Sequence, residues 1–263
     1  MAIGVFDSGV GGLSVLRQCR KYFPKDTFLY LGDTKHMPYG KKTRDEVVNY
    51  TKKAFSFFEK EGVKAGIIAC NTATAAALDE VQKNFSFPIF GVIKPACQEV
   101  VKRTINNKVL LIATEGTVKS NVYENTIKEY NRNIFLESIG CPHLVIAVED
   151  GYGDHYIGGK IAIDYISRAK EKDFDTLILG CTHFPVVQRN LEDYFKGKRR
   201  KIEIIDPAYP TVKDLLKNIP PETKRKGKVK YYVTGDVKKF EKVAKKITGE
   251  KISACFLELE KNS

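Results

Sequence analysis

One short pattern occurs twice in this chain of 263 residues: IIACNTATAAAL around Cys70 and LILGCTHFPVV around Cys181. In each copy an apolar, β-branched run leads to a cysteine, a threonine and a helix-like segment. Each sulfur is therefore expected at a strand's carboxyl end beside a helix N-terminus. The correspondence extends outward. Phe28-Leu29 recurs as Phe135-Leu136, the opening strand Ile3 to Phe6 ending at Asp7 is mirrored by Val109 to Ala113 ending at Thr114, and GVIKPA (Gly91 to Ala96) is answered by EIIDPA (Glu203 to Ala208). The offset is 107 residues early in the repeat and 111 to 112 later, as loop insertions would produce in a twofold pseudo-symmetric pair of domains.

Between these landmarks strand and helix patterns alternate, which predicts an α/β fold with largely parallel sheets covered on both faces, doubly wound in each half. Strands are expected at 2–6, 28–31, 66–70, 89–93, 109–113, 134–138, 176–180 and 202–205, and helices near 12–22, 43–61, 73–84, 96–103, 119–131, 158–171, 184–195 and 210–217. The basic, proline-containing stretch Pro220 to Lys230 reads as an exposed connection, followed by a strand in YYVTGD and a lysine-rich helix at 237–247. The two Pro-Ala stops read as adjacent chain crossings. This divides the chain into a first domain of 1–95 plus 209–263 and a second of 96–208, with the C-terminal tail rejoining the first. Ligands of open α/β sheets bind at strand carboxyl ends, where both cysteines fall. N–H dipoles there are expected to favour the thiolate and lower both pKa values below the roughly 8.5 of free cysteine. Two such thiols suggest two-sided acid/base chemistry.

Composition narrows the function classes. Hydrophobic residues make up 43% and charged residues 29%, and no apolar run approaches the length of a bilayer span, so a soluble globular protein is expected. MAIGVFDSGVGG places an acid and glycines where a signal peptide needs a long apolar stretch, which points to the cytoplasm. Six dispersed cysteines without CxxC spacing read as reduced thiols, with Cys19, Cys97, Cys141 and Cys255 structural. Cys181 and His183 are close, yet no second Cys/His pair completes a zinc site, and no metal is expected. The net charge of +12 sits largely in lysine-rich stretches such as Lys196 to Lys201 and Lys224 to Lys230. Solvated surface that helps attract an anionic substrate is the favoured reading, ahead of nucleic-acid binding by counterion release.

The loops after the strands carry the candidate chemistry. DSGVGGLS (Asp7 to Ser14) is neither GxGxxG nor a Walker loop, and its aspartate would repel phosphate. It suits an amino acid better. Asp7 can orient an ammonium or exchange a proton while N–H groups and Ser8 hold a carboxylate, although Asp7 also reads as a turn or cap residue. In GDTKHMPYGKKT (Gly32 to Thr43), the Tyr39-Gly40 step offers a backbone donor without a Cβ, and a plain turn fits equally. EGTVKS (Glu115 to Ser120) is a capped helix start whose threonines and free amides suit a second carboxylate. Glu149, in the polar run EDGYGD after an apolar, strand-like stretch, reads equally as a solvated loop acid or as a partner for His183.

DSGVGG, GDTKHMPYG, ACNTATA, ATEGTVKS and GCTHFP, in this order over essentially the whole chain, resemble the bacterial glutamate racemases of the cofactor-independent aspartate/glutamate racemase superfamily. The resemblance implies two flavodoxin-like domains around an interdomain active-site cleft, and interconversion of L- and D-glutamate for peptidoglycan. It implies no cofactor, and a homodimer for which the residues carry no interface signature. It further implies that Cys70 takes the proton from D-glutamate and Cys181 from L-glutamate. Asp7 would assist the first and His183, oriented by Glu149, the second. Ser8, Tyr39, Gly40, Asn71, Thr72, Thr117 and Thr182 would hold the substrate together with Asp7 and His183. Removing a weakly acidic α-proton without pyridoxal phosphate or metal then falls to oriented donors and exclusion of water, through closure hinged at Lys94 to Ala96 and Asp206 to Ala208. Alternatives are a racemase of aspartate or another amino acid, a decarboxylase or isomerase of the same superfamily, and a non-catalytic amino-acid-binding protein.

Overall fold

Apolar strands alternating with amphipathic helices build two separate parallel sheets in the computed structural model, whose described residues are 1–153, 156–224 and 226–259. The first half runs β1 (Ala2–Asp7), α1 (Leu13–Tyr22), β2 (Thr27–Gly32), α2 (Arg44–Lys60), β3 (Ala65–Ile68), α3 (Asn71–Asn84), β4 (Ile89–Gly91) and α4 (Ile93–Arg103). The second runs β5 (Lys108–Ala113), α5 (Glu115–Lys119), α6 (Val122–Tyr130), β6 (Phe135–Gly140), α7 (Pro142–Glu149), α8 (Tyr156–Ser167), β7 (Thr176–Gly180), α9 (Gln188–Gly197), β8 (Glu203–Ile205) and α10 (Ala208–Asn218). The chain closes with β9 (Val229–Val233), α11 (Val237–Thr248) and β10 (Ala254–Phe256). One sheet has the order β10-β9-β2-β1-β3-β4 and the other β6-β5-β7-β8, so the doubly wound, flavodoxin-like order of the first half reappears in the second. The central strands β3 and β7 are buried along their whole length, as parallel strands covered on both faces must be, and their apolar runs follow from that.

The ladders correct the alignment of the repeat by one residue. Ile3 pairs with Phe28 and Val109 with Leu136, so Leu136 rather than Phe135 is the counterpart of Phe28. Phe6 pairs with Ile68 and Ile112 with Leu179, which makes Ala113, not Thr114, the counterpart of Asp7 when the cysteines are superposed. Three local expectations also change. The helix expected at 119–131 is two helices, broken where Asn121 takes a left-handed φ of 55°. The apolar stretch before Glu149 is not strand-like but the helix α7, opened by Pro142 at its first turn. Pro95 and Ala96 are not a stop: they lie inside α4, which packs on α10, capped by Pro207. β9 and β10 extend the first sheet beyond β2. The connection at 220–230 is largely exposed up to the start of β9. Its Arg225, and Asp154 of the EDGYGD run, lie outside the described residues. Among the described residues no helix is long and apolar enough to cross a membrane.

The carboxyl ends of the two sheets meet through the loop after β1. Thr182 Oγ1 donates to Asp7 Oδ1 at 3.1 Å, Ser14 Oγ reaches the Thr182 carbonyl at 3.4 Å, and Val10 N–H donates to Glu149 Oε1 at 3.4 Å. This approach requires glycine. A Cβ on Gly9 would overlap the Glu149 carboxylate, and one on Gly11 would overlap Thr182 Oγ1 and the His183 backbone. Gly11 has no left-handed φ, so alanine is conformationally allowed there and only the contact is affected. Gly11→Ala is expected to leave the circular-dichroism spectrum intact while lowering turnover about a hundredfold, through displacement of His183. An active Gly11→Ala protein would show that the two halves need not approach this closely.

Candidate active site

Cys70 caps α3, and its sulfur accepts the Ala73 N–H at 3.5 Å. Cys181 follows β7 and opens the turn Phe184–Val187. Both sulfurs line one cleft, together with Ser8, Asn71, Thr72, Glu149, Thr182 and His183. The Tyr39–Gly40 turn and an apolar wall from Met37, Val145 and Ile146 complete it.

The surroundings of the two sulfurs differ. Beside Cys181 stands His183, with Nδ1 3.4 Å from the sulfur and Nε2 2.5 Å from Glu149 Oε1, all three side chains buried. Burial opposes a charge on this imidazole. The Cys181 sulfur and the Glu149 carboxylate outweigh it and hold the His183 proton well above the usual histidine range. α7 delivers Glu149 to this position, so of its two readings the structure takes partner over solvated acid.

Beside Cys70, the thiol donates to Ser8 Oγ at 3.6 Å. Burial, then the Asp7 charge, push the thiol up to about 12, against the Ala73 N–H and the Ser8 hydroxyl. The lowering expected from the helix N-terminus is thus overturned for Cys70: a few oriented dipoles do not offset a dry site with a carboxylate behind it. Asp7 is fully buried one layer behind the cleft wall, where Oδ2 accepts the Gly9 N–H at 2.9 Å and Oδ1 accepts Thr182. It is therefore a turn residue and a neighbour of both thiols' loops at once. Burial raises its own carboxyl, opposed by the His183 charge and by the N–H groups of Gly9 and Gly12.

Neutral donors form the far wall. The hydroxyls of Thr72, Thr114 and Thr117 make a closed triangle with sides of 2.8, 3.2 and 2.9 Å, Thr117 sitting behind the other two. Thr114 caps α5, as the EGTVKS pattern predicts one residue later, and was not foreseen as a member of the wall. Asn71 Oδ1 accepts the Tyr123 hydroxyl at 2.7 Å, while Asn71 Nδ2 is buried with no partner among the described residues. Tyr39 is held from behind by Asp33, a fully buried carboxylate that accepts its hydroxyl at 2.5 Å, Thr234 Oγ1 at 2.6 Å and His36 Nδ1 at 2.9 Å. Asp33 and Tyr123 escaped sequence reasoning. The one signal for Asp33 was its place directly after β2, one residue past the ladder partner of Asp7. No group of three or more His, Cys, Asp and Glu side chains among the described residues is arranged to hold a metal ion.

The model of the Asp/Glu/Hydantoin racemase family matches residues 3–215. The chain belongs to this family. Glutamate racemase of Aquifex aeolicus (strain VF5) is 36% identical over 252 residues, 96% of each chain, and that of Lysinibacillus sphaericus is 38% identical over 92% of each. Among solved structures, glutamate racemase from Bacillus anthracis superposes with a TM-score of 0.89 at 34% identity, covering 98% of this chain and 97% of that one. The Francisella tularensis enzyme in complex with D-glutamate superposes with a TM-score of 0.88 at 31% identity over 98% of both. This member of the racemase family is an amino-acid racemase, an isomerase.

Two measurements test the electrostatics of this racemase. Asp7→Asn removes a charge that holds the Cys70 proton, so the iodoacetamide rate at Cys70, followed by mass spectrometry at pH 9, is expected to rise severalfold; an unchanged or slower rate contradicts the assigned cause. Glu149→Gln removes an anion facing His183, so the imidazole midpoint in an NMR titration is expected to fall. A raised histidine pKa stabilises the fold at pH values below the unfolded value of about 6.5, and that contribution is lost as pH rises through the folded value. The variant is therefore expected to lose stability at pH 6 and to show a flatter stability profile above it.

Proposed function

We propose that the chain is a cofactor-independent glutamate racemase that inverts Cα by transferring protons between two cysteines on opposite sides of the bound amino acid. The observation that carries this reading is the pair Cys70 and Cys181, placed by equivalent strand-helix units of two pseudo-symmetric halves so that both line one cleft. The near-full-length relatives named glutamate racemase support the choice of glutamate over aspartate, a difference of one methylene that reads as pocket depth and not as a motif.

The residues divide the task. The hydroxyls of Thr72 and Thr114, turned from their mutual contacts to the ligand, Asn71 Nδ2 and the Gly40 N–H are the donors for the substrate's carboxylates, with Ser8 near its ammonium; the Thr182 hydroxyl, whose proton goes to Asp7, offers its oxygen as an acceptor. From L-glutamate the Cys181 thiolate takes the Cα proton and becomes the thiol. The electron pair left on Cα is drawn toward the α-carboxylate, whose donors are already oriented. Cys70 then gives its proton to the other face and becomes the thiolate, and D-glutamate departs. The reverse reaction starts from that state. His183, held by Glu149, and Asp7 exchange protons with their neighbouring sulfurs between turnovers. Domain closure would exclude water, with 1–95 plus 209–263 moving against 96–208 about the α4 and α10 starts near Lys94 to Ala96 and Asp206 to Ala208. The same reading includes a cytoplasmic homodimer supplying D-glutamate to peptidoglycan.

Incubation of the purified protein with L- or D-glutamate in deuterated water, without pyridoxal phosphate or metal, tests the proposal. Both enantiomers are expected to converge on one racemic, α-deuterated mixture. Cys70→Ala and Cys181→Ala are each expected to lower inversion by roughly a thousandfold or more. Reaction of aspartate in place of glutamate would move the substrate assignment; inertness toward both would favour an amino-acid-binding protein. Because the enantiomers have equal free energies in water, kcat/KM must be equal in the two directions for every variant, so the cysteine roles are read from exchange. Cys70→Ala is expected to retain α-deuterium exchange only into L-glutamate, and Cys181→Ala only into D-glutamate. The opposite pattern reverses the two roles.

A further inference from the structure

Asn71 is the first residue of α3, beside Cys70, and is 2% exposed where it lines the cleft. A carboxamide can sit in two orientations that exchange its oxygen and nitrogen, and the two are opposites to an incoming carboxylate: Nδ2 donates to it and Oδ1 repels it. Tyr123 selects between them. Its hydroxyl donates to Asn71 Oδ1 at 2.7 Å from a ring that is 1% exposed, and Asn71 Nδ2 is left buried without a partner among the described residues. In the flipped amide, Nδ2 would donate to the Tyr123 oxygen, and the Tyr123 proton would lose its acceptor in a dry core, which is costly. Burial also keeps the Tyr123 hydroxyl protonated well above the usual tyrosine range, so the donor is present at every physiological pH.

The helix break between α5 and α6 places this ring. Ser120 Oγ donates to the Thr117 carbonyl at 2.6 Å and accepts the Val122 N–H at 3.3 Å, and left-handed Asn121 starts α6 in a new direction. One segment from the second half thereby supplies the hydroxyl of Thr117 to the far wall and that of Tyr123 to Asn71, which belongs to the first half. We propose that Tyr123 is a positioning residue that fixes the Asn71 amide with its donor toward the substrate carboxylate, so that a substrate-binding group on one half is oriented by the other. The inference rests on the reading of Asn71 as a substrate-binding residue of a glutamate racemase.

Tyr123→Phe keeps the ring and removes the hydroxyl. With L- and D-glutamate as substrates, it is expected to raise KM about tenfold in both directions while kcat changes by less than about threefold, the signature of lost uniform binding. Asn71→Ala is expected to raise KM at least as far, and adding Tyr123→Phe to it is expected to change KM no further, because the amide to be oriented is gone. An unchanged KM in Tyr123→Phe beside a raised KM in Asn71→Ala overturns the orienting role alone. A Tyr123→Phe effect of full size in the Asn71→Ala background overturns it as well, by showing that the hydroxyl acts on packing. An unchanged KM in Asn71→Ala overturns the reading of Asn71 together with the inference built on it. If the Phe variant does not fold, the unsubstituted protein answers: a slowly exchanging tyrosine hydroxyl proton is expected in its NMR spectrum, moving when glutamate is added, and the absence of such a signal counts against the inference.

Discussion

The loop after β1 lies flat against the turn after β7, since Gly9 and Gly11 leave space there for Glu149, Thr182 and His183. From this contact the rest of the site follows. It ties Asp7 to Thr182 and Val10 to Glu149, so the residues beside one sulfur are hydrogen-bonded to those beside the other. It also makes the carboxyl ends of both sheets the walls of one cleft, where helix N-termini and loop amides point inward. Larger residues at these glycines would hold the halves apart and leave two shallow, wet pockets, in which neither thiol faces a low-dielectric site and the electrostatic terms fade toward their values in water.

Duplication makes the backbones equivalent and leaves the chemistry unequal. Two residues after Cys181 stands His183, and two residues after Cys70 stands Thr72; Asp7 ends β1, and its ladder counterpart at the end of β5 is Ala113. A pseudo-twofold axis can present equivalent sulfurs to two faces of a carbon centre, but a protein of L-residues has no mirror to offer two enantiomers. On the proposed two-cysteine mechanism each side therefore needs its own proton-handling partner, drawn from whichever residues the local loop brings close. The neighbour of Cys181 is an imidazole held by a carboxylate; that of Cys70 is a serine hydroxyl, with a carboxylate behind it.

Short-range signals were legible and long-range ones were not. The positions of Cys70 and Cys181 follow from an apolar run and a helix start within ten residues, and the order of strands and helices from periodicity. Ladder register depends on strands far apart in sequence, so the Phe28/Phe135 match was off by one residue. HLVIAV is an apolar run of a length that fits a strand or a buried helix, and Pro142, a residue favoured in a helix's first turn, was the cue for α7. The break at Asn121 needs a left-handed residue that sequence tolerates in many contexts. Asp33 and Tyr123 act on Tyr39 and Asn71 from elements that become neighbours only in the fold, and the Cys70 pKa depends on burial and on Asp7, 63 positions away.

The raised Cys70 thiol sets two effects against each other: a stronger base toward carbon, and a smaller fraction of it present as thiolate near neutral pH. An amino acid's α-proton is far less acidic than any thiol, and a base gains strength as its conjugate acid weakens. A cleft filled with cations would yield thiolates easily and leave them too weak to take a proton from carbon. Among the described residues the cleft is lined by Lys41 and His183 as its basic side chains, and its donors are hydroxyls and amides, while the excess of lysine lies elsewhere. Such a wall orients carboxylates and adds no cation beside Cys70, whereas the Cys181 sulfur has the His183 imidazole 3.4 Å away. The free energy that burial withholds from the Cys70 thiolate must be supplied before the proton transfer that uses it, and on the proposed two-cysteine reading the cation that supplies it is the substrate's own ammonium, bound beside Ser8 and the Cys70 sulfur.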